Sequence, residues 1–201
     1  MRLGKKTAIS ISILAVFIGI YAFVLAFVLP SATFSPILQK LALTPIPSLI
    51  HFIGGGIAIL LGIIQFNSSI RKYHLSVHKI LGSIYFFSVF SSGFASLYMS
   101  SQAHGGLIAQ VGFSLLAIIW LLTAGLALKA VLQKDIEKHR FWIYLNYALT
   151  LAALTLRLQM PFGVALFGFE TFYPIVAWSC WLPNLYIAYL LVKKPKDSHD
   201  R

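Results

Sequence analysis

The sequence contains little negative charge and a single cysteine. Only five of its 201 residues are Asp or Glu, and all five lie outside the long apolar runs. Hydrolysis by a pair of carboxylates is therefore excluded from the apolar part of the chain, and so is an ion channel lined by acidic rings. Cys180 has no second cysteine to pair with, so an intramolecular disulfide is also excluded.

Charge of either sign is scarce, whereas apolar residues are abundant. Charged residues make up 10% of the chain and hydrophobic residues 59%, with a mean hydropathy of +0.84. A chain this short cannot cover so much apolar surface with water-facing side chains. We therefore do not expect a soluble domain.

Six apolar runs separated by short joints account for this composition. A helix needs about 20 residues to cross the hydrocarbon of a bilayer, and each run is near that length. All six runs are too long and too uniformly apolar to be strands of a membrane barrel. The sequence therefore predicts an all-α integral membrane bundle of six transmembrane helices, forming a single domain over residues 1–201. The first run is expected to be a retained span and not a signal peptide. The predicted spans are 8–29, 46–66, 78–99, 105–131, 141–160 and 174–192.

Lysine and arginine are concentrated in every second joint. Fourteen of the sixteen lie before the first span, between the second and third, between the fourth and fifth, or after the sixth. Only Lys40 and Arg157 depart from this pattern. By the positive-inside rule, both termini face the cytoplasm. Because the cations flank apolar spans instead of forming one patch, we expect them to contact anionic headgroups of the lipid bilayer and not nucleic acid.

One face of the fifth span carries polar residues. At about 100° per residue, Asn146, Thr150 and Arg157 lie within about 20° of His139. Such residues are expected to face the interior of the bundle, because their exposure to lipid is costly. Asn146 and Thr150 are typical of hydrogen bonds between helices. For Arg157 two interpretations stay open: its guanidinium reaches the outer interface, or it binds an oxygen of a propionate, a quinone or a lipid phosphate.

The second and third spans each carry a face of small and polar residues. In the second span, Gly55, Gly62 and Gln65 lie within about 40° of His51, so another helix or a flat ligand can approach closely. Gln65 is therefore a candidate contact for a charged or carbonyl group. The corresponding face of the third span begins at His78 and continues through Gly82, Tyr85, Ser92 and Ser96.

Histidines stand at the ends of four successive spans. His78 and His139 begin the third and fifth spans at the cytoplasmic side, whereas His51 and His104 lie toward the outer side. Imidazoles on facing helices can supply both axial ligands of a haem iron. We therefore expect His78 and His139 to hold a haem b, with His51 and His104 as a second candidate pair. A zinc site at His74 and His78 is disfavoured, since no carboxylate is nearby to complete it.

The layout resembles that of the transmembrane di-haem cytochrome b proteins, in which helices two to five of a six-helix protein carry the haem ligands. That resemblance is confined to the layout, because the ascorbate-binding signature of that family is absent from this sequence.

A longer string of motifs runs through the same residues. It comprises His51, Gly62, Gln65-Phe66, Arg71, His78-Lys79, Gly82, Tyr85, Gly105-Gly106, Gly112-Phe113, Trp120, His139-Arg140-Phe141-Trp142, Tyr147-Ala148-Leu149, Ala152-Ala153 and Thr155-Leu156-Arg157-Leu158. This string, over about residues 46–161, resembles the bacterial membrane-protein family catalogued as domain of unknown function 2306.

The resemblance implies a location in the bacterial inner membrane but no particular activity. It also implies that His51, His78, His139 and Arg157 belong to the shared pattern, with Lys79 where an arginine is usual. His104 lies outside the pattern, which weakens the case for an outer haem.

Two functions from different classes follow from these residues. The leading hypothesis is haem b binding or quinone-linked electron transfer, with His78 and His139 as iron ligands, His51 as a second site or proton relay, and Arg157 and Gln65 contacting a charged or carbonyl group. The partners would then be a quinone or a redox protein. The alternative is a non-catalytic bundle that binds a lipid or a small amphipath, or that supports another membrane complex.

Overall fold

The structure, a computed structural model, describes residues 5–28 and 44–193. Within these residues it contains helices and no strands, and six helical segments are long and apolar enough to cross a membrane. The prediction of an all-α six-span bundle is confirmed. The helices are α1 (Lys5–Val28), α2 (Pro45–Gln65), α3 (Ser68–Tyr73), α4 (Leu75–Ser100), α5 (Gly106–Leu132), α6 (Ile136–Thr150), α7 (Ala152–Phe167), α8 (Phe169–Ser179) and α9 (Leu182–Lys193).

The fifth and sixth spans are longer than the sequence predicts, and each consists of two helices. The fifth is α6 followed by α7, and the sixth is α8 followed by α9. Residues 161–173, predicted as a joint, are helical except at Gly168, where the chain turns with φ 77°. Glycine is suited to this turn because residues that carry a side chain rarely adopt a positive φ. The segment at 29–43, including Lys40, and the tail beyond residue 193 lie outside the described residues.

Two of the joints that carry cations, the one after α2 and the one after α5, contain side-chain caps. Asn67 accepts hydrogen bonds from the backbone N–H groups of Ser69 and Ile70 and so begins the short helix α3. Asp135 accepts one from the N–H of Lys138 and begins α6. The Lys138 side chain also bonds the Asp135 carboxylate at 2.9 Å, and this hydrogen bond lowers the pKa of that carboxyl below its ordinary value. We call the end of the bundle that contains these two joints the basic end.

The opposite end contains the turn between α4 and α5. There Gly105 adopts φ 83°, a left-handed conformation, and directly precedes the first residue of α5. His104 is therefore placed in the turn and not in a helix. We call this the turn end of the bundle.

The core of the bundle consists of aromatic and small residues from several spans. α2 packs on α4, α4 on α5, and α5 on α6, while α1 packs mainly on α2. Tyr85, Trp120, Tyr147 and Trp181 are all buried in one cluster. Glycines allow the close approach of these helices, since a Cβ at Gly62 would overlap the Tyr147 ring.

Candidate functional site

A cavity of about 290 Å³ lies between the helices in the half of the bundle nearer the turn end. Its wall is mostly apolar and includes residues of α1, α2 and α4 to α8, but no Asp or Glu. The polar residues in the wall are Thr44, His51, Ser96, Ser100, Gln102, His104, Trp120, Thr150, Arg157 and Tyr173. This size is near the lower limit of small-molecule sites, which are about 300–1,000 Å³ and combine apolar walls with a few polar groups.

Arg157 of α7 brings a cation into the wall of this cavity. Its Nη1 donates a hydrogen bond to the carbonyl of Ala153 at 2.9 Å, and its guanidinium carbon lies 5.2 Å from the centre of the Tyr21 ring in α1. The Nε atom is buried and has no hydrogen-bond partner. Among the described residues, no carboxylate forms an ion pair with Arg157. A guanidinium in this setting is suited to an anionic or carbonyl oxygen in the cavity.

His51 of α2 is held in one orientation by Ser92 of α4. The Ser92 hydroxyl donates to the backbone carbonyl of His51 at 2.9 Å. The His51 Nδ1 atom lies 3.1 Å from that hydroxyl oxygen and 3.3 Å from the Ser92 carbonyl. Since the single hydroxyl hydrogen is already used, Nδ1 is the donor in this pair. The Nε2 atom of a neutral His51 is then the nitrogen that can accept a proton or a hydrogen bond.

His104 also lines the cavity, but its Nε2 atom is engaged elsewhere. It lies 3.0 Å from both carboxylate oxygens of Glu170 in α8. The imidazole also packs against the rings of Phe169 and Tyr173. The structure therefore brings His51 and His104 to one cavity. The Nε2 atom of His104, however, bonds the Glu170 carboxylate and not a group in the cavity.

The fifth span is interrupted beside the cavity. α6 ends at Thr150 and α7 begins at Ala152, both of which line the cavity. Asn184 of α9 compensates for this interruption, because its amide donates to the carbonyl of Ala148 at 3.4 Å and to the hydroxyl of Thr155 at 2.8 Å. Interrupted backbone within a membrane span is tolerated where it is buried in protein or lines a cavity.

The sixth span is interrupted in the same region. Cys180, which follows α8, lines the cavity. The adjacent residue Ser179 donates its hydroxyl to the Gln159 side chain at 2.6 Å, and the Gln159 amide donates to the Ser179 carbonyl at 3.3 Å. Both interruptions lie beside the same cavity.

A buried hydrogen-bond network lies beside the cavity, toward the middle of the bundle. Tyr85 donates its hydroxyl to Asn146 at 2.6 Å. The Asn146 amide donates to the Trp120 carbonyl at 2.8 Å and to the Thr123 hydroxyl at 2.9 Å. Trp120 in turn donates its indole N–H to Thr150 at 2.9 Å. Asn146 and Thr150 thus form the bonds between helices that the sequence predicts for them.

At the basic end, His78 and His139 each lie near the start of a helix, His78 in α4 and His139 in α6. His139 donates its Nδ1–H to the carbonyl of Ala127 at 2.9 Å, which leaves Nε2 as the possible metal-binding nitrogen. The Nδ1 atom of His78 is buried without a hydrogen-bond partner. Gln65 donates to the His78 backbone carbonyl at 3.2 Å, so it contacts α4 and does not line the cavity described above.

The predicted site residues therefore separate into two groups. His51, His104 and Arg157 share the cavity near the turn end, whereas His78, His139 and Gln65 lie at the basic end. Within the described residues, no three His, Cys, Asp or Glu side chains are grouped as a metal cluster would require. Haem ligation by two histidines does not depend on such a group and stays a prediction.

Sequence reasoning did not identify Ser100, Gln102 or Trp120 as cavity residues, or Tyr21 as the residue whose ring contacts Arg157. The faces of individual helices cannot show which residues from α1 and α5 meet at one cavity. For Tyr21, one signal was present, since it is the only tyrosine of the first apolar run.

Comparison with known proteins agrees with the architecture. The family model described as Predicted membrane protein (DUF2306) matches residues 48–192, and so includes every span after the first. No curated protein and no solved structure matches the chain.

Proposed function

This chain belongs to the DUF2306 family of predicted membrane proteins, and we propose that it binds a small amphipath whose head carries an anionic or carbonyl oxygen. The head would lie against Arg157 and His51, and the apolar part against the remaining wall of the cavity. The observation that carries this proposal is the Arg157 guanidinium, which lines an apolar cavity without a carboxylate partner among the described residues.

The chemistry of the wall supports an oxygen-bearing head over a purely apolar ligand. A guanidinium is costly in hydrocarbon unless a partner compensates its charge. A carboxylate or phosphate would supply that partner, and a quinone carbonyl would accept a hydrogen bond from the same group. With a quinone, His51 is placed to accept or donate a proton, and the function would be quinone-linked electron transfer.

The proposed location is the inner membrane of a bacterium, with the basic end and both termini in the cytoplasm. The distribution of lysine and arginine supports this orientation. The cavity would then open in the outer half of the bilayer.

Tryptophan fluorescence of the full chain in lipid nanodiscs would test the binding proposal. Bromodecanoate, a single-chain carboxylate whose bromine quenches tryptophan, should quench saturably, because Trp120 lines the cavity. Decylubiquinone should do the same if the site accepts a carbonyl head. Trp120→Phe should remove the saturable component and Trp178→Phe should retain it, since Trp178 does not line this cavity. Quenching that only rises in proportion to probe in the bilayer would reject the proposal and favour a scaffold role.

A second candidate function is haem b binding at the basic end, which the hydrogen bonding of His139 favours. The Ala127 carbonyl fixes the imidazole with Nε2 as the unprotonated nitrogen, the state that ligates iron. Two imidazoles are the donor set that axial ligation of a haem b requires, and a bound haem would supply one-electron transfer.

The reduced-minus-oxidised absorption spectrum of the purified protein tests this candidate. After expression with ample haem, we expect a b-type difference spectrum that is lost in His78→Ala and in His139→Ala. His104→Ala should retain at least one haem, and His74→Ala is the matched control, because His74 is exposed beside the same helix start. A colourless wild-type protein would exclude haem binding.

A further inference from the structure

Helix α1 contributes to the cavity wall, although it lies before the part of the sequence that the family model matches. The family match begins at residue 48, whereas Ile18 and Ala22 of α1 line the cavity. α1 packs mainly on α2 and makes few contacts with α7. The wall between α1 and α7 is therefore less extensively packed than the wall between α1 and α2.

Tyr21 stands at this boundary between α1 and α7. Its ring lies over the Arg157 guanidinium, and 46% of the Tyr21 residue is exposed at the surface of the bundle. The apolar segment of α1 extends at least to Ala26, five residues further on. At about 1.5 Å per residue, Tyr21 therefore lies at least about 8 Å inside the end of that segment. The surface that Tyr21 exposes thus faces hydrocarbon and not the aqueous phase.

The packing of α1 on α2 depends on small residues. A Cβ at Gly56 would lie 3.2 Å from the Gly19 carbonyl and 3.4 Å from the Ala22 Cβ. Close contact of this kind holds membrane helices together through van der Waals packing, because lipid supplies no hydrophobic force between them. Because lipid surrounds α1, movement of α1 away from α7 would not expose apolar surface to water.

We propose that the ligand of the cavity enters sideways from the hydrocarbon, between α1 and α7, and is a membrane-dissolved single-chain amphipath with an acidic head. Tyr21 positions Arg157 and covers it until the acidic head replaces the aromatic ring. This proposal rests on the proposed binding function, which it extends by naming the source and class of the ligand.

A disulfide between α1 and α2 tests the route, because α1 packs mainly on α2 and must shift on it in order to move away from α7. The distance of 3.4 Å between the Ala22 Cβ and a Cβ at Gly56 is close to the about 3.5–4.5 Å that a disulfide requires. In a Cys180→Ala background, the oxidised Ala22→Cys/Gly56→Cys protein in nanodiscs should bind bromodecanoate about tenfold more slowly than its reduced form. Reduction should restore the rate, which also shows that the variant folds. Each single-cysteine variant, treated with the same oxidant, serves as a control.

A second pair of variants addresses the role of Tyr21. Tyr21→Ala should accelerate both binding and release of bromodecanoate, because the ring that covers Arg157 is removed. Tyr21→Phe retains the ring and should behave as wild type.

The outcomes separate the two proposals. Equal rates for the oxidised and reduced disulfide variant, or competition by acetate or inorganic phosphate at the concentrations at which bromodecanoate binds, would overturn access from the membrane and leave the binding function standing. Absence of saturable quenching in the unmodified protein would overturn the binding function itself and the route with it.

Discussion

Arg157→Gln should weaken the binding of bromodecanoate by about 10- to 100-fold, because a hydrogen bond to a charged group contributes about 1.5–3 kcal/mol. Glutamine retains a donor but removes the cation that lines the cavity. Arg157→Lys should recover part of the affinity, since an ammonium retains the charge but lacks the planar donors of the guanidinium. Quenching of Trp120 fluorescence in nanodiscs would measure the affinity of the wild type and of both variants for bromodecanoate.

Arg140→Gln is the matched control for this series. It removes one positive charge from an exposed position at the basic end of the fifth span. Binding should be unchanged in that variant. If Arg157→Gln binds the acid as tightly as wild type while Arg140→Gln does too, the head of the ligand does not contact Arg157 and the proposed site is wrong.

Gly62→Ala should lower the free energy of unfolding by about 1–3 kcal/mol, the usual cost of adding a methyl group to a well-packed core. Gly62 is buried in α2, and its new Cβ would overlap the ring of Tyr147 in α6. Displacing that ring also strains the hydrogen bond that the Tyr147 hydroxyl donates to the Ile59 carbonyl at 3.1 Å. Unfolding of the detergent-solubilised protein, followed by circular dichroism, would measure the loss.

Gly125→Ala provides the comparison, because no atom lies within 4 Å of the added Cβ in α5. There alanine should be neutral or stabilising by up to about 1 kcal/mol, since glycine is the poorer helix former. Combining Gly62→Ala with Tyr147→Ala should cost less than the sum of the two changes, because the second removes the ring that the first displaces. Additive costs would show that the two residues do not compete for space.

Much of the bundle can be predicted from residue type alone. The length and apolarity of the six runs predict their crossing of a bilayer, and the structure agrees in number and class of spans. The facing ends of spans five and six were placed too far inward, because Pro161, Gly168 and Glu170 interrupt the apolar sequence there. The structure nevertheless continues as helix up to Gly168 and beyond it. Hydropathy reports the part of a helix that is suited to hydrocarbon, and a helix can extend past that part.

The candidate site could be predicted only in pieces. His51, His104 and Arg157 each stand out in the sequence as polar residues in or beside apolar runs. Their convergence on one cavity depends on how the helices pack. No Pro or Gly marks the interruption at Leu151, whereas Pro183 follows the interruption after Ser179. Those interruptions are stabilised by hydrogen bonds from other segments, and a local pattern contains no information on such partners.

The sequence by itself determined that this protein is an all-α membrane bundle, because the need to satisfy backbone groups in lipid leaves a long apolar segment no other structure. It also determined which polar residues lie within the membrane spans. Only the tertiary structure decided that Arg157 meets Tyr21 and a cavity, while Asn146 is fully bonded within the core. The physical reason is that helical periodicity fixes the face on which a side chain lies, whereas its partner is fixed by how neighbouring helices pack.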